Sequence, residues 1–179
     1  MKIAYVNIKK QYQNERFQLL KTIDKALQKG TWVGGDEINK IEKNITKICK
    51  TNYCVALNSG TDALTLALYL LGVKRGDEVI TPPNSFIAST AVISHLGAKP
   101  VFVDVLPDQN MNPNLLENVI TKKTKAIMPV HLTGRISEMF EISKIADKYN
   151  IPVIEDAAQS IGSLYNNKPS GSLGVVGCF

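Results

Sequence analysis

The segment 58–64, Asn-Ser-Gly-Thr-Asp-Ala-Leu, has the residue types of an anion-binding turn between a strand and a helix. Gly60 lets the backbone approach a ligand closely, and Thr61 offers a hydroxyl group and a backbone N–H in the first helical turn. The free N–H groups and the helix dipole suit such a terminus to phosphate. Ordinary helix capping explains the same residues, so both interpretations stay open. The segment is not a Walker A loop, because no Gly-Lys-Ser/Thr follows.

Asp156 and Gln159 form a second candidate group, directly after a predicted buried strand. A buried carboxylate is unfavourable unless it meets a cation or hydrogen-bond donors. One cation that fits is the protonated ring nitrogen of pyridoxal phosphate (PLP), which a carboxylate maintains as an electron sink. Gln159 can then hydrogen-bond a ring substituent from the same side. The alternative is that Asp156 caps the next helix and Gln159 is a surface residue.

Two ring side chains extend this set. Phe86 follows a strand and can stack on a heteroaromatic ring, which contributes roughly 0.5–1.5 kcal/mol, although core packing explains it equally well. His131 ends a strand and can act as an acid, a base or a hydrogen-bonding wall of a pocket. Neither His131 nor His95 has a Ser, Cys or metal-binding partner at a recognisable spacing. This disfavours a hydrolase triad and a zinc site.

The order of elements places these residues at one edge of a sheet. Two helical patterns come first, with apolar residues at three- and four-residue steps in 17–27 and 38–48. From residue 53 onward, short apolar strand patterns alternate with helical patterns. The predicted strands are Tyr53–Leu57, Glu78–Thr81, Pro100–Val103, Ala126–Val130 and Pro152–Glu155, and the predicted helices are Thr61–Leu71, Ile87–Leu96, Asn114–Val119 and Ser137–Tyr149. This order predicts an α/β fold with a mostly parallel sheet flanked by helices. Its ligands bind beyond the carboxyl ends of the strands.

Composition and charge exclude several classes of protein. The chain has 179 residues, 44% of them hydrophobic, as is typical of a soluble globular protein. Its net charge of +5 comes from scattered lysines and not from a basic stripe with aromatics, so we expect no nucleic-acid binding. The apolar runs are too short for a membrane span, no signal peptide is recognisable, and three cysteines fit no metal-ligand spacing. We therefore expect a cytoplasmic protein without a metal.

Together the motifs resemble the sugar aminotransferases of the DegT/DnrJ/EryC1/StrS family, which are fold type I PLP enzymes. The matching stretches run in order along nearly the whole chain: 30–35, 58–64, 76–82, 85–88, 97–104, 130–134, 152–159 and 171–179. The resemblance implies the large, PLP-binding domain of that fold. Residues 1–179 would form this domain incompletely, with 1–50 as an N-terminal helical segment within it. The family's smaller C-terminal domain would be missing.

The resemblance also implies a role for each matching residue. Gly60 and Thr61 would hold the cofactor phosphate, and Phe86 would stack on the pyridine ring. Asp156 would pair with the ring nitrogen, and Gln159 with the phenolic oxygen.

Substrate contacts follow from the same resemblance. Thr31 and Trp32 match a family segment near the substrate sugar. His131, from its place at a strand end and not from the resemblance, joins Asp156 as a candidate catalytic residue. Family members are dimers whose active sites are completed by the partner subunit, so a homodimer with shared sites is implied.

The activity implied is the PLP-dependent transamination of a nucleotide-linked keto sugar to an amino sugar for polysaccharide biosynthesis, with glutamate as amino donor. In the family, the Gly-Cys-Phe stretch leads within a few residues to the lysine that forms the Schiff base with PLP. The chain stops first, at Phe179 and inside an apolar strand pattern. Chain termini usually lie at a domain surface, so we expect the front part of a longer protein, inactive by itself.

Two alternatives stay open. One is a dehydratase of the same family, which uses pyridoxamine phosphate and has His in place of the lysine. The other is a non-catalytic member that senses a ligand. A plain dinucleotide-binding domain is disfavoured, because no Gly-x-Gly-x-x-Gly follows the first strand.

Overall fold

The computed structural model describes residues 6–30 and 33–179. The chain divides into two compact units, the first ending at Ile41 and the second beginning at Glu42. The first unit contains helix α1 (Ile8–Lys29) and the start of α2 (Asp36–Cys49). Helix α1 begins at Asn7, whose side chain accepts a 3.0 Å hydrogen bond from the backbone N–H of Lys10. These two helices agree with the two helical patterns of the sequence.

The second unit is built on parallel strands. Strand β1 (Glu78–Thr81) lies between β2 (Lys99–Phe102) and β3 (Thr124–Ile127), and it is parallel to both. Strand β4 (Ile154–Asp156) pairs in parallel with β7 (Val176–Cys178). Parallel bridges from Ile127 to Val153 and from Val130 to Asp156 connect the two groups of strands. The carboxyl ends of β1, β3, β4 and β7 therefore lie along one edge.

Helices cover both faces of these strands. They are α3 (Gly60–Leu70), α4 (Ile87–His95) and α5 (Met139–Tyr149), with 3-10 helices at Pro113–Val119 and Leu132–Gly134. The alternation of side chains along a strand explains the two cores, because Val79 and Ile80 point to opposite faces. Val79 packs in a cluster with residues of α3 and α4, and Ile80 in a cluster with residues of α5. This arrangement confirms the predicted α/β fold.

One predicted strand is wrong, and one hairpin was not predicted. Tyr53–Leu57 has an apolar pattern but is irregular, with 87% of Tyr53 and 72% of Val55 exposed. A strand needs a neighbouring strand, and none of the described strands pairs with this segment. Conversely, the structure contains an antiparallel hairpin of β5 (Leu164–Tyr165) and β6 (Lys168–Pro169), which the sequence reasoning missed. No described helix is long and apolar enough to cross a bilayer.

Candidate functional site

A cavity of about 230 Å³ lies at the carboxyl ends of the parallel strands. It contains all five residues for which the sequence suggested a cofactor contact. The lining residues are Gly60, Thr61, Leu64, Ser85, Phe86, Ala88, Val130, Asp156, Ala158, Gln159, Cys178 and Phe179. They come from helix starts and strand ends that are far apart in the sequence, and parallel pairing brings these ends together.

The N-terminus of α3 forms one wall of this cavity. Ser59 caps the helix by accepting a 3.1 Å hydrogen bond from the backbone N–H of Asp62. Gly60 and Thr61 occupy the first turn, whose N–H groups have no carbonyl partner within the helix. A Cβ atom on Gly60 would lie 2.9 Å from the carbonyl oxygen of Phe179. The glycine therefore also permits a close approach of this helix to the chain segment after β7.

Asp156 ends β4 and is 6% exposed. Its Oδ2 accepts a 2.7 Å hydrogen bond from the hydroxyl of Ser89, and this hydroxyl lies 2.7 Å from that of Ser85. Its Oδ1 has a long contact of 3.4 Å with the backbone N–H of Ala158. One carboxylate oxygen is thus held firmly, and the other retains the capacity to accept a hydrogen bond from a ligand.

Gln159 and Phe86 complete the polar and aromatic parts of the lining. The Oε1 atom of Gln159 accepts a 2.7 Å hydrogen bond from the backbone N–H of Thr133. A backbone donor requires the oxygen of the amide at this position, so the Nε2 group is directed to other acceptors. The ring of Phe86, just before α4, is 70% exposed and offers a flat apolar face in the cavity.

His131 lies in the core and is absent from the residues that line the cavity. Its Nε2 lies 3.0 Å from Glu155 Oε2, and its Nδ1 is 3.3 Å from the backbone N of Ser137. Because Nδ1 accepts a hydrogen bond from the N–H of Ser137, the ring proton is on Nε2, which donates a hydrogen bond to Glu155. The ring therefore acts as a buried link between two segments, and a catalytic role for His131 stays a prediction.

Glu155 is fully buried and accepts four hydrogen bonds. Besides His131, its donors are the backbone N–H groups of Gly171, Leu173 and Gly174, at 2.7–2.8 Å. Burial opposes ionisation, but the bonds from His131, Gly174 and Gly171 outweigh it, and the pKa of Glu155 lies below its usual range. The carboxylate thus fixes the turn that leads into β7 and the cavity.

The comparison with known proteins agrees with this geometry. Residues 13–179 match the DegT/DnrJ/EryC1/StrS aminotransferase family. The chain belongs to this family.

Curated relatives and solved structures give the same result. The chain is 41% identical over 177 residues to the UDP-2-acetamido-2-deoxy-3-oxo-D-glucuronate aminotransferase of Pseudomonas aeruginosa, covering 98% of this chain and 49% of that protein. It is 42% identical over 175 residues to the dTDP-3-amino-3,6-dideoxy-alpha-D-galactopyranose transaminase of Aneurinibacillus thermoaerophilus, covering 96% and 47%. It superposes on the crystal structure of S. venezuelae DesV in complex with a ketimine intermediate, with a TM-score of 0.91, 36% identity and coverage of 95% and 46%. The chain spans about half the length of the curated relatives it matches.

Family membership leaves some predicted residues without a structural test. Thr31 and Trp32, which match a segment near the substrate sugar, lie outside the described residues.

Cys178 lines the cavity, and burial together with Asp156 and Glu155 raises the pKa of its thiol to about 12. It is therefore a neutral thiol and a poor nucleophile. The described residues contain no cluster of side chains that could hold a metal ion.

The sequence reasoning missed two polar residues that the structure places beside the site, Ser89 and Glu155. Ser89 is a serine in an apolar helix, and it differs from the other polar residues of α4 in being almost fully buried. Glu155 precedes Asp156 in a strand that is buried at all three residues. A charged residue within a buried strand was the available signal for Glu155. No comparable signal distinguishes Ser89.

Proposed function

We propose that the full-length protein is a PLP-dependent aminotransferase that converts a nucleotide-linked keto sugar to an amino sugar. Glutamate is the amino donor, and the product supplies polysaccharide biosynthesis in the cytoplasm. The protein acts as a homodimer in which each subunit helps to complete the other's active site. The observation that carries the proposal is the convergence of a helix N-terminus, a buried carboxylate and an exposed aromatic ring in one cavity.

The residues present fit PLP part by part. The N–H groups at Gly60 and Thr61 suit a phosphate dianion, since they carry the positive end of the helix dipole. The flat face of Phe86 suits a pyridine ring. Oδ1 of Asp156, whose one hydrogen-bond contact among the described residues is the long one to the N–H of Ala158, suits the protonated ring nitrogen. The Nε2 group of Gln159 suits the phenolic oxygen. Chemically different parts of one molecule thus meet different kinds of partner.

PLP supplies an electron sink for the α carbon of an amino acid and carries the amino group between two substrates. The chain's own residues would bind and orient it. Gly60 and Thr61 would hold the phosphate, and Asp156 would keep the proton on the ring nitrogen. Phe86 would cover one face of the ring and exclude water from it. The helix dipole, the Asp156 charge and the apolar face of Phe86 are thus already in position before the reaction begins.

The proton transfers of transamination also need a base. In the family, the lysine that bonds to the cofactor follows the Gly-Cys-Phe stretch, which this chain has at 177–179. We therefore place that lysine after Phe179 in the full-length protein. The strand β7 and its link to Glu155 would then determine where the lysine enters the cavity.

The named activities of the relatives support the proposed substrate class. One relative is named for a UDP-linked 3-oxo sugar and another for a dTDP-linked amino sugar, so both names contain a nucleotide-linked sugar while the nucleotide and the sugar differ. We propose a nucleotide-linked keto sugar for this protein, with an amino acid as the second substrate.

A cofactor-trapping experiment tests the proposal. The full-length protein is incubated with PLP, reduced with borohydride and analysed by intact mass spectrometry. It is then assayed with glutamate and UDP- or dTDP-linked keto sugars. One PLP attached to each chain, with equal amounts of 2-oxoglutarate and amino sugar, is the expected result. Loss of water from the sugar with no attached PLP would instead identify the dehydratase. If no PLP becomes attached and no substrate is converted, the result favours the ligand-sensing alternative.

A further inference from the structure

Ser89 joins two elements that carry cofactor-binding residues. It lies in the first turn of α4, three residues after Phe86, and is 1% exposed. Its hydroxyl oxygen is 2.7 Å from Asp156 Oδ2, across 67 residues of sequence. The hydroxyl of Ser85, which lines the cavity, is 2.7 Å from the hydroxyl of Ser89. A chain of two hydrogen bonds therefore runs from the cavity wall to the back of the carboxylate.

The chemistry of the three groups fixes the direction of this chain. An ionised carboxylate only accepts hydrogen bonds, so the hydroxyl of Ser89 donates its one proton to Asp156. Ser89 then has only acceptor capacity left, and the hydroxyl of Ser85 donates to it. A bond to a charged acceptor in a buried place is stronger than one between neutral groups, and each bond in a chain polarises the next.

We propose that Ser89 is a positioning residue, which holds Asp156 by Oδ2 and leaves Oδ1 directed to the ring nitrogen of the cofactor, while Ser85 orients the hydroxyl of Ser89. This proposal rests on the proposed function, because it assigns Asp156 to the cofactor ring. It adds a support that neither the sequence pattern nor the family resemblance identified. Without Ser89, the buried Oδ2 would lose its donor and the carboxylate would turn to find another.

A double-mutant cycle on PLP binding tests the proposal in the full-length protein. The dissociation constant of PLP is measured by fluorescence titration for Ser89→Ala, Asp156→Ala and the double variant. If Ser89 acts through Asp156, Ser89→Ala weakens binding about tenfold in the natural protein. It then changes binding less than about twofold once Asp156 is replaced by alanine, because the two effects do not add. A purely structural role would give the same loss in both backgrounds and would overturn the proposal.

Conservative and matched variants complete the experiment. Ser89→Thr retains the hydroxyl and is expected to bind PLP within about threefold of the natural protein, whereas Ser85→Ala gives a loss smaller than that of Ser89→Ala. Ser94→Ala removes an exposed serine from the same helix and serves as the control, with no change expected. If Ser89→Ala fails to fold, Ser85→Ala is measured in the same cycle with Asp156→Ala, and a loss that persists unchanged once Asp156 is replaced would contradict the hydrogen-bond chain.

The outcomes separate this inference from the proposed function. A natural full-length protein that binds no PLP refutes the proposed function, and this inference with it. A natural protein that binds PLP, together with a Ser89→Ala variant that binds it equally well, refutes this inference alone. The absorbance spectrum of bound PLP gives a second readout, because a displaced carboxylate changes the protonation of the ring and a distant structural change does not.

Discussion

The backbone N–H of Thr133 donates to Oε1 of Gln159 over 2.7 Å, and this bond determines which end of the Gln159 amide is available to a ligand. Thr133 adopts φ 55°, a left-handed conformation that a threonine rarely takes. The side chain of Asn110 helps to hold the segment, since its Oδ1 accepts from the backbone N–H of Leu132 and its Nδ2 donates to the carbonyl of Arg135. The loop that contains Thr133 contributes no side chain to the cavity, but it fixes the orientation of the Gln159 amide and so leaves the Nε2 donor available to a ligand.

Replacement of Gln159 by Glu tests this orientation. A glutamate retains the acceptor for Thr133 but presents a second carboxylate oxygen where the amide had a donor. That oxygen would repel the phenolic oxygen of PLP, so we expect PLP binding to weaken about tenfold or more. Fluorescence titration of the full-length protein measures the loss. Gln13→Glu, which changes an exposed amide on α1, is the control, and equal losses in the two variants would argue against the assigned role of Gln159.

Gly60 and Thr61 are adjacent, yet the structure predicts different consequences of replacing them. A Cβ atom on Gly60 would meet the carbonyl of Phe179, so Gly60→Ala should lower the free energy of unfolding by about 1–3 kcal/mol. Alanine normally stabilises a helix relative to glycine. A destabilised Gly60→Ala protein would therefore indicate the steric contact, because helix propensity alone predicts the opposite sign. Thr61→Ala should leave stability within about 0.5 kcal/mol and instead weaken PLP binding. Urea denaturation and PLP titration of both variants separate the two effects, and a stabilised Gly60→Ala protein would contradict the close approach.

Glu155 is expected to contribute to stability because it satisfies four donors, of which two are buried and two are part-buried. In Glu155→Gln, one oxygen becomes an NH₂ group and faces N–H donors, so the free energy of unfolding should fall by about 2–4 kcal/mol. Urea denaturation near neutral pH measures this loss. Glu141→Gln on the exposed part of α5 is a matched control and should have little effect. A loss in Glu155→Gln no greater than that of the control would show that the network adds nothing to stability.

The lowered pKa of Glu155 also predicts how stability varies with pH. A carboxyl group with a folded pKa below its unfolded value stabilises the protein above the unfolded pKa, and that contribution is lost as pH falls. The loss therefore begins near the usual value of 4.5 and continues as pH falls through the lower folded pKa. Glu155→Gln lacks this titration, so the difference in unfolding free energy between the two proteins should shrink below pH 4.5. Urea denaturation at several pH values measures the difference, and a constant difference would contradict the shift.

Sequence reasoning could select the five cavity residues because each stands at a helix start or just beyond a strand end, where α/β folds bind ligands. It could not find Ser89, whose importance depends on a partner 67 residues away. The strand predicted at 53–57 was wrong for the same reason, since the pairing of a strand is not visible in its own residues. The hairpin at 164–169 was predictable: Asn166 and Asn167 both have positive φ, and asparagine is typical of such two-residue turns.

Asp156 provides the most direct test of the site, because asparagine has the shape of aspartate without its charge. In Asp156→Asn, the amide oxygen would still accept from Ser89, so we expect the fold and the free energy of unfolding to be nearly unchanged. The neutral amide would no longer hold a proton on the ring nitrogen of PLP. We expect the transamination rate to fall by about a hundredfold or more, equivalent to about 3 kcal/mol.

The comparison that decides this prediction uses Asp156→Asn and Asp147→Asn in the full-length protein. Asp147 is exposed on α5, so its replacement removes the same charge far from the cavity and should leave the rate unchanged. Single-turnover assays with glutamate, run alongside circular dichroism melts, separate a loss of chemistry from a loss of folding. A loss of rate in Asp156→Asn with an unaltered melt assigns the carboxylate to the cofactor ring. Retained activity in a folded Asp156→Asn protein would remove Asp156 from that role, because no neutral amide can substitute for an ion pair with the ring nitrogen.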